Sequence, residues 1–289
     1  MTAPGAWRRK AEPTWCPGCG NYKILDALTR ALLSLKIEPW NVVIVSGIGQ
    51  AGKLPHYVQC NFLHGLHGRA LSHAAGVKLA NPRLTVIAVG GDGDMYGEGG
   101  SHLVQAFRRN MDITCLVHNN GVYGLTKGQP SPTAGQGTAT RLTPQGTGMP
   151  PFNPLAAGLA ADGTFIARGY ANETEQLAEL IAGAVRHRGF GFVDILQPCV
   201  TYNKVHTYQW FEERVYDLGH EEYRPTDRMQ AMQVALEWPE SGDDRIALGV
   251  LYQGSRRTHE EQLPGLQSGP LNEPRSNREM MSRVADEFC

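Results

Sequence analysis

Short apolar runs alternate with helical patterns through the first two hundred residues of this 289-residue chain. Runs rich in β-branched residues predict strands at 41–46, 84–89, 113–117 and 190–196. Between them, apolar residues recur at helical spacing, which predicts helices over 22–36, 64–80, 99–109 and 173–188. Continuous apolar strands separated by helices are typical of a parallel sheet covered on both faces. We therefore predict an α/β fold with a mostly parallel sheet flanked by helices.

Two stretches depart from this alternation. Residues 121–154 are rich in Gly, Pro, Thr and Gln, and their position directly after a strand favours a ligand-binding role. From about residue 201 aromatic and charged residues take over, although an apolar run at 246–252 is compatible with one more strand. The last residues, 254–289, predict either an extended arm or a partly disordered tail. We therefore divide the chain into an α/β domain over 1–205 and a C-terminal extension over 206–289, which packs on the core or on a partner subunit.

Composition excludes several classes of protein. The 27 basic and 28 acidic residues nearly cancel, so there is no electrostatic case for a nucleic-acid partner. No apolar run approaches about 18 residues, which predicts no membrane helix, and the first ten residues lack the apolar core of a secretory signal. A cytoplasmic protein is expected. Six cysteines are too sparse for a disulfide scaffold, and clustered cysteines in a reducing compartment more often serve metal or redox chemistry.

The sharpest chemical feature is the sequence Gly-Gly-Asp-Gly-Asp at 90–94, directly after a predicted strand. Glycines let the backbone approach a diphosphate, and N–H groups at such a turn point at its oxygens. Asn119 and Asn120 follow the next strand. Mg²⁺ prefers hard oxygen ligands, so Asp92 and Asn120 are the predicted ligands, with the Val122 carbonyl as a third. Gly-Asp-Gly alone is usually a plain turn, but with the later Asn pair it is the thiamine-diphosphate signature.

The cysteines leave several possibilities open. Cys16 and Cys19 form a C-x-x-C knuckle, whose preceding residues are too polar for the strand of a thioredoxin-like redox motif. A zinc site with Cys199 and a histidine, or an iron–sulfur cluster, would both use these thiolates. Cys115 lies in an apolar strand and indicates core packing. His64 and His67, three residues apart in a predicted helix, are compatible either with half of a zinc site or with a place beside the cofactor.

Taken in order, the motifs resemble the β subunit of the 2-oxoacid:ferredoxin oxidoreductases. The segments that carry the resemblance, which spans about residues 12 to 205, are 16–20, 64–70, 90–94, 119–129 and 197–199. The resemblance implies the diphosphate-type thiamine-diphosphate-binding fold. It also implies a set of cofactor-binding residues: Gly49, His67, Gly68, Gly91, Asp92, Gly93, Asp94, Asn120, Val122, Gly124, Leu125 and Thr126.

The resemblance further implies a 4Fe-4S cluster held by Cys16, Cys19 and Cys199. In the family a cysteine follows the loop at 47–49, whereas Gln50 stands there in this chain. Gln50 is a poor ligand for soft iron. By elimination we expect Cys60 to be the fourth ligand, because Cys115 lies in a strand and Cys289 is the last residue. The alternative is a cluster with three cysteines, or none.

The function implied is the CoA-dependent oxidative decarboxylation of a 2-oxoacid, with electrons passing through the cluster to ferredoxin. An α subunit, in an α2β2 assembly, would supply the rest of the active site; neither nucleic acid nor a membrane is involved. Lys53, His67 and Lys127 are expected on the substrate side, and Lys53 would suit the distal carboxylate of 2-oxoglutarate. The alternatives are a pyruvate-specific enzyme, a non-oxidative two-chain decarboxylase and a zinc-stabilised binding module.

Overall fold

The computed structural model describes residues 7–273 apart from 141, 221, 240, 241, 243 and 268, together with 282, 286 and 287. The helices are α1 (Asn21–Ser34), α2 (Gly49–Gly52), α3 (Ala70–Ala80), α4 (Gly100–Arg109), α5 (Pro154–Ala160), α6 (Thr174–Arg186), α7 (Tyr208–Glu212) and α8 (Arg228–Ala235). The strands are β1 (Val42–Ser46), β2 (Asn61–His64), β3 (Thr85–Gly91), β4 (Thr114–Asn119), β5 (Val122–Tyr123), β6 (Gln129–Pro130), β7 (Phe165–Tyr170), β8 (Gly191–Leu196), β9 (Val215–Asp217) and β10 (Ile246–Gln253).

Eight of these strands form one sheet in the order β2-β1-β3-β4-β8-β7-β10-β9. The six strands from β2 to β7 are parallel to their neighbours, and β10 pairs antiparallel with β7. The short strands β5 and β6 pair with each other in the irregular segment after β4. The predicted mostly parallel sheet is confirmed.

Alternate residues of each central strand enter two separate hydrophobic layers. On β1, for example, Val42 and Ile44 pack with α1 and α6, whereas Val45 packs on the opposite face with α3, α4, α5 and α8. Side chains of successive strand residues point to opposite faces, so a strand buried on both faces must be apolar throughout. This requirement explains why the central strands stand out in the sequence.

The pattern did not predict β7 or β2. β7 lies beside β8 and is fully buried, but it contains Arg168 and Gly169, which interrupt its apolar character. The helix predicted from residue 64 begins only at Ala70, because Asn61–His64 forms β2 at the edge of the sheet. Residues 65–69 form the turn between β2 and α3.

The C-terminal part adds β9 and β10 to the sheet, so the strand compatible with residues 246–252 is present. Parts of the segment after β10 pack against the core: Thr258, Glu260 and Leu266 are buried, and the Leu271 N–H donates to the Ala80 carbonyl. Most of the predicted arm beyond residue 273, with Cys289, lies outside the described residues. The division at residue 205 stays a prediction. In the described part of the chain no helix has the length and apolar character needed to span a membrane.

Candidate functional site

The carboxyl ends of β1, β3, β4 and β8 lie at one edge of the sheet, since these strands are parallel. Loops leave this edge at Gly47–Gly49, at Asp92–Asp94, at Asn119–Gly121 and at Gln197–Cys199. Ligands of open α/β sheets bind beyond this edge. Most of the residues singled out from the sequence therefore meet in one region.

Asp92 lies at the centre of this region and is almost fully buried. Its Oδ2 accepts hydrogen bonds from the Gly121 N–H at 2.9 Å, the Ser131 hydroxyl at 2.6 Å and the Thr133 hydroxyl at 2.7 Å. Burial raises the pKa of the Asp92 carboxyl, and these donors lower it in turn. Sequence reasoning missed Ser131 and Thr133; their place in the Gly- and Pro-rich segment after β4 was the only available signal.

Asn119, the last residue of β4, and Asn120, which follows it, make different contacts. Asn119 Nδ2 donates to Asp194 Oδ1 at 3.0 Å, so this side chain is tied into the sheet. Asn120 Oδ1 accepts the Val122 N–H at 3.0 Å, which turns the chain directly after the strand. The Asn203 side chain supports the same turn by donating to the Asn120 carbonyl at 3.0 Å. Asn120 therefore stands at the edge of the sheet on a braced turn.

Asp94 joins two further loops to the site. Its Oδ1 accepts the Gly68 N–H at 2.7 Å, and the Ile48 backbone also donates to the carboxylate. Its Oδ2 is buried and finds no hydrogen-bond partner among the described residues. Burial raises the pKa of Asp94 to about 6, while the nearby exposed His67 lowers it. The turn at 65–69 and the loop after β1 are thereby held beside residues 90–94.

Glycines surround Asp94 because side chains would not fit. A Cβ at Gly47 would lie 1.6 Å from Asp94 Oδ2, and one at Gly90 would lie 2.8 Å from the same atom. Gly68 has a φ of +65° and packs on the Glu98 backbone, so it is required for both conformation and space. The glycine content of these loops thus follows from close packing around one carboxylate.

Other glycines border open space, and this space fits a diphosphate. A Cβ at Gly49 would meet nothing within 4 Å, and at Gly91 or Gly124 the nearest atom would be 3.9 to 4.0 Å away. Gly49 also has a φ of +81°, which favours glycine. Bare backbone facing open space at strand ends is the surface that a diphosphate requires. Gly93 does not border this open space, because a Cβ there would lie 2.4 Å from the Tyr123 ring.

The donor set also fits Mg²⁺. Asp92, Asn120 and the Val122 carbonyl all offer hard oxygen atoms, and such sites leave positions for phosphate oxygens. These three residues could hold the metal, and the glycine-lined space could hold the diphosphate. Among the described residues no group of three or more His, Cys, Asp or Glu side chains could hold a metal ion. The three proposed Mg²⁺ ligands include only one carboxylate, that of Asp92, so they are compatible with the absence of such a group from the described residues.

The predicted substrate-side residues lie around this region without converging on one another. Lys53 follows α2, and its Nζ donates to the Thr14 carbonyl at 3.4 Å. Lys127 is exposed on the loop between β5 and β6 and has a φ of +84°, unusual for a residue with a side chain. Leu125 and Thr126 are exposed on the same loop. The roles of these residues stay predictions.

Three of the predicted cluster ligands lie together near the end of β8. The Cys19 N–H donates to the Cys16 carbonyl at 3.0 Å, and Gly18 makes the turn with a φ of +78°. Burial raises the pKa of the Cys19 thiol, and the nearby Cys199 and Cys16 raise it further. The Gln197 amide donates to Cys19 Sγ at 3.3 Å. These three thiols do not form a group that could hold a single metal ion among the described residues, and the iron–sulfur cluster stays a prediction.

Cys60 does not join them, and its assignment as fourth ligand is wrong. It precedes β2, at the amino ends of the strands, whereas Cys199 follows β8 at the carboxyl ends. β2 and β8 are four strand spacings apart, or about 19 Å. The Cys60 thiol is buried in the hydrophobic core, and burial raises its pKa to about 12. Cys115 is also buried, as predicted.

Gln50 instead lies beside the cysteine knuckle. Its carbonyl accepts the Trp15 indole N–H at 2.8 Å, directly before Cys16. Its Oε1 is buried without a partner among the described residues, and its Cγ lies 4.0 Å from the position of a Cβ on Gly124. Gln50 therefore bridges the cysteine region and the loop after β5.

The alternative in which His64 and His67 form half of a zinc site on one helix is wrong. His64 ends β2 and His67 lies in the following turn, so the two residues do not share a helical face. His64 Nδ1 instead lies 3.0 Å from His56 Nε2. The position of His67 beside Asp94 agrees with the other expectation, a place next to the cofactor region.

Comparison with known proteins agrees with this geometry. Residues 46–195 match the family model of the thiamine pyrophosphate enzyme C-terminal TPP-binding domain. Residues 199–268 match the model for the C-terminal part of the pyruvate ferredoxin oxidoreductase beta subunit. The two models meet between β8 and Cys199.

Individual relatives extend the similarity over nearly the whole chain. The β subunit of 2-oxoacid:ferredoxin oxidoreductase 2 from Aeropyrum pernix is 46% identical over 94% of this chain and 90% of its own. The corresponding subunit from Saccharolobus solfataricus is 44% identical over 90% of this chain and 88% of its own. A solved 2-oxoglutarate:ferredoxin oxidoreductase from Magnetococcus marinus superimposes with a TM-score of 0.90 at 34% identity, covering 98% of this chain and 95% of that one. The chain therefore belongs to the β-subunit family of the 2-oxoacid:ferredoxin oxidoreductases and carries that family's thiamine-diphosphate-binding domain.

Proposed function

We propose that this chain and an α subunit form an α2β2 oxidoreductase that decarboxylates 2-oxoglutarate oxidatively. CoA takes the acyl group, and electrons leave through an iron–sulfur cluster to ferredoxin. The observation that carries the proposal is the meeting of the Asp92 centre and the three cysteines at one edge of the sheet. In this proposal the cofactor site and the electron exit are adjacent.

Within this proposal, Asp92, Asn120 and the Val122 carbonyl hold Mg²⁺. The backbone at Gly49, Gly91 and Gly124 borders the diphosphate. When bound, thiamine diphosphate supplies the carbanion chemistry that releases carbon dioxide from a 2-oxoacid. Ser131 and Thr133 keep the Asp92 carboxylate oriented by hydrogen bonds before the metal binds.

The preference for 2-oxoglutarate is supported by Lys53 and by the relatives. The ammonium group of Lys53 lies near the loop after β1, where it can pair with the distal carboxylate of 2-oxoglutarate. The Magnetococcus marinus structure contains 2-oxoglutarate, coenzyme A and succinyl-CoA. A relative from Archaeoglobus fulgidus, 36% identical over 76% of this chain, is a 2-oxoglutarate synthase subunit. His67 and Lys127 are proposed to shape the same pocket.

The cluster in this proposal has three cysteine ligands, Cys16, Cys19 and Cys199. Gln50 lies beside them, and its amide oxygen is the only polar side-chain group that this loop offers to a fourth iron. None of the five described cysteines forms a disulfide bond. This agrees with the reducing cytoplasm, the compartment we propose for the protein.

Binding of thiamine diphosphate to the full chain, with and without Mg²⁺, tests the core of the proposal. Asp92→Ala is expected to abolish Mg²⁺-dependent binding, because the bridging carboxylate is gone. Asp244→Ala, at an exposed ion pair with Arg214, is the matched control and is expected to bind normally. Normal binding by a folded Asp92→Ala protein would contradict the proposal.

Gln50 favours one competing function, a non-oxidative two-chain decarboxylase. An enzyme that passes no electrons to ferredoxin needs no cluster, and the family's cysteine is replaced at this position. Iron analysis of anaerobically purified protein separates the two functions. Cluster iron at three or four atoms per chain supports the oxidoreductase, and iron-free protein that retains thiamine diphosphate supports the decarboxylase.

A further inference from the structure

A buried arginine without a hydrogen-bond acceptor lies at the centre of the sheet. Arg168, in the middle of β7, is 3% exposed. Its Nε and Nη1 are buried and have no partner among the described residues. A guanidinium group carries five N–H donors and a permanent charge, and buried groups of this kind are normally satisfied. Arg168 Nε and Nη1 can therefore still donate to a further acceptor.

The neighbouring carboxylate does not supply that acceptor. Asp194 Oδ2 lies 3.9 Å from Arg168 Nε, which is beyond hydrogen-bonding distance. Asp194 Oδ1 already accepts from the Tyr96 hydroxyl at 2.6 Å and from Asn119 Nδ2 at 3.0 Å. Asp194 is thus held toward Tyr96 and Asn119 and leaves Arg168 Nε and Nη1 without a hydrogen bond.

Arg168 is one of the residues that line a cavity of about 690 Å³. Small-molecule sites typically occupy about 300 to 1,000 Å³ and combine apolar walls with a few polar groups. Here the apolar walls include Phe152, Leu196, Phe211 and Trp238, and Arg168 and Asp194 form the charged end. The cavity adjoins the cofactor region, because Asn120 and Thr133 are part of its wall, whereas Gly49, Gly91, Asp92 and Gly124 are not.

The charges in the cavity define the kind of ligand. The residues that line it include one cation, Arg168, one carboxylate, Asp194, and one histidine, His206. A ligand carboxylate can accept from the Arg168 guanidinium, which the 3.9 Å contact with Asp194 leaves without a hydrogen bond at Nε and Nη1. Each further carboxylate would lack a cation among the residues that line the cavity. The apolar walls require an apolar body on the same molecule.

We propose that this cavity is a second small-molecule site, which binds a monocarboxylate with an apolar body through Arg168. The proposal rests on Arg168 and the apolar walls, none of which the proposed thiamine-diphosphate chemistry uses, although the cavity adjoins the cofactor region at Asn120 and Thr133. It assigns a role to a buried cation that the proposed reaction leaves unused.

Calorimetric titration of the full chain with 4-methylpentanoate tests the proposal. Its amide, 4-methylpentanamide, has the same apolar body without the charge, and glutarate carries a second carboxylate. We expect 4-methylpentanoate to bind at least about ten-fold more tightly than either, because a charge-assisted hydrogen bond is lost in one and a carboxylate is left unpaired in the other. Equal binding of acid and amide, or no binding of either, would overturn the proposal.

Two variants and a control locate the site. Arg168→Met is expected to weaken 4-methylpentanoate binding at least about ten-fold. Leu236→Trp, at a cavity residue that is 53% exposed, keeps the Arg168–Asp194 pair and is expected to block the cavity. Arg109→Met, at an exposed residue of α4, is expected to bind normally. Should Arg168→Met fail to fold, Leu236→Trp decides, and undiminished binding by it would overturn the proposal.

A last titration uses the complex with the α subunit. Retained binding supports a small-molecule site in the assembled enzyme. Binding by the isolated chain that disappears in the complex would mean that the partner covers the cavity, and the proposal would be wrong.

Discussion

The Thr133 hydroxyl lies 2.7 Å from Asp92 Oδ2 and links the predicted magnesium ligand to the segment after β4. The same oxygen lies 2.7 Å from Asn119 Oδ1. A hydroxyl has one hydrogen, so Asp92 and Asn119 compete for one donor. The orientation of the metal ligand therefore depends on a residue 41 positions away in the sequence.

Thr133→Val is expected to weaken Mg²⁺-dependent thiamine diphosphate binding by about ten-fold, since a hydrogen bond to a charged group is lost at nearly constant volume. Thr133→Ser keeps a hydroxyl and is expected to restore most of the affinity. Thr138→Val removes a hydroxyl that donates only to the Gly135 carbonyl of the same segment, and serves as the control. Titration followed by tryptophan fluorescence measures all three. Equal losses in Thr133→Val and Thr133→Ser would contradict a role for the hydroxyl.

Gln50→Cys is expected to convert a labile cluster into a stable one. With three thiolates, one iron lacks a cysteine ligand and is lost on brief exposure to air, whereas a fourth thiolate retains it. Iron content and low-temperature paramagnetic resonance, before and after exposure, measure this change. Cys60→Ser and Cys115→Ser are expected to match the wild type, because both thiols are buried in the core. Cluster loss in Cys60→Ser alone would show that the described position of Cys60 is not the one in the enzyme.

Lys53→Met is expected to reduce turnover of 2-oxoglutarate at least about ten-fold more than turnover of pyruvate, because only 2-oxoglutarate carries a distal carboxylate for the cation. The assay uses the chain co-expressed with its α subunit and follows reduction of a viologen dye. Lys23→Met, at an exposed residue of α1, is the control. Equal losses for the two acids would remove Lys53 from substrate selection.

Acid is expected to destabilise the fold through His206. This side chain packs on Trp210 with ring centroids 4.4 Å apart, and burial, with the nearby Arg214, lowers its pKa to about 4. The unfolded chain, with a pKa of about 6.5, binds the proton first, so stability is complete above pH 6.5 and falls as the pH drops toward 4. Between pH 7.5 and pH 5 this histidine alone costs about 2 kcal/mol of unfolding free energy.

Urea denaturation of wild type and His206→Phe at these two pH values measures the effect. The variant is expected to lose about 2 kcal/mol less than the wild type, because phenylalanine does not titrate. An identical loss in both proteins would show that His206 is not buried in its neutral form.

Much of the candidate site could be predicted from the sequence because its residues follow apolar strands. In a parallel sheet the carboxyl ends of neighbouring strands share an edge, so Asp92 after β3 and Asn120 after β4 must come near each other. The knuckle at Cys16 and Cys19 is local, and two residues of separation are enough to bring the thiols together. These features depend only on short-range pattern and on sheet geometry.

The tertiary structure alone decided the rest. Ser131 and Thr133 contact Asp92 from an irregular segment. This segment has no hydrophobic periodicity from which its path could be predicted. Cys60 was assigned by elimination, but it precedes β2, which lies four strand spacings, or about 19 Å, across the sheet from β8 and the Cys199 that follows β8. β7 was missed because Arg168 breaks its apolar run, although that arginine is buried beside a cavity. Strand order and burial of a charge are set by contacts between distant segments, and a linear pattern of apolar residues does not contain them.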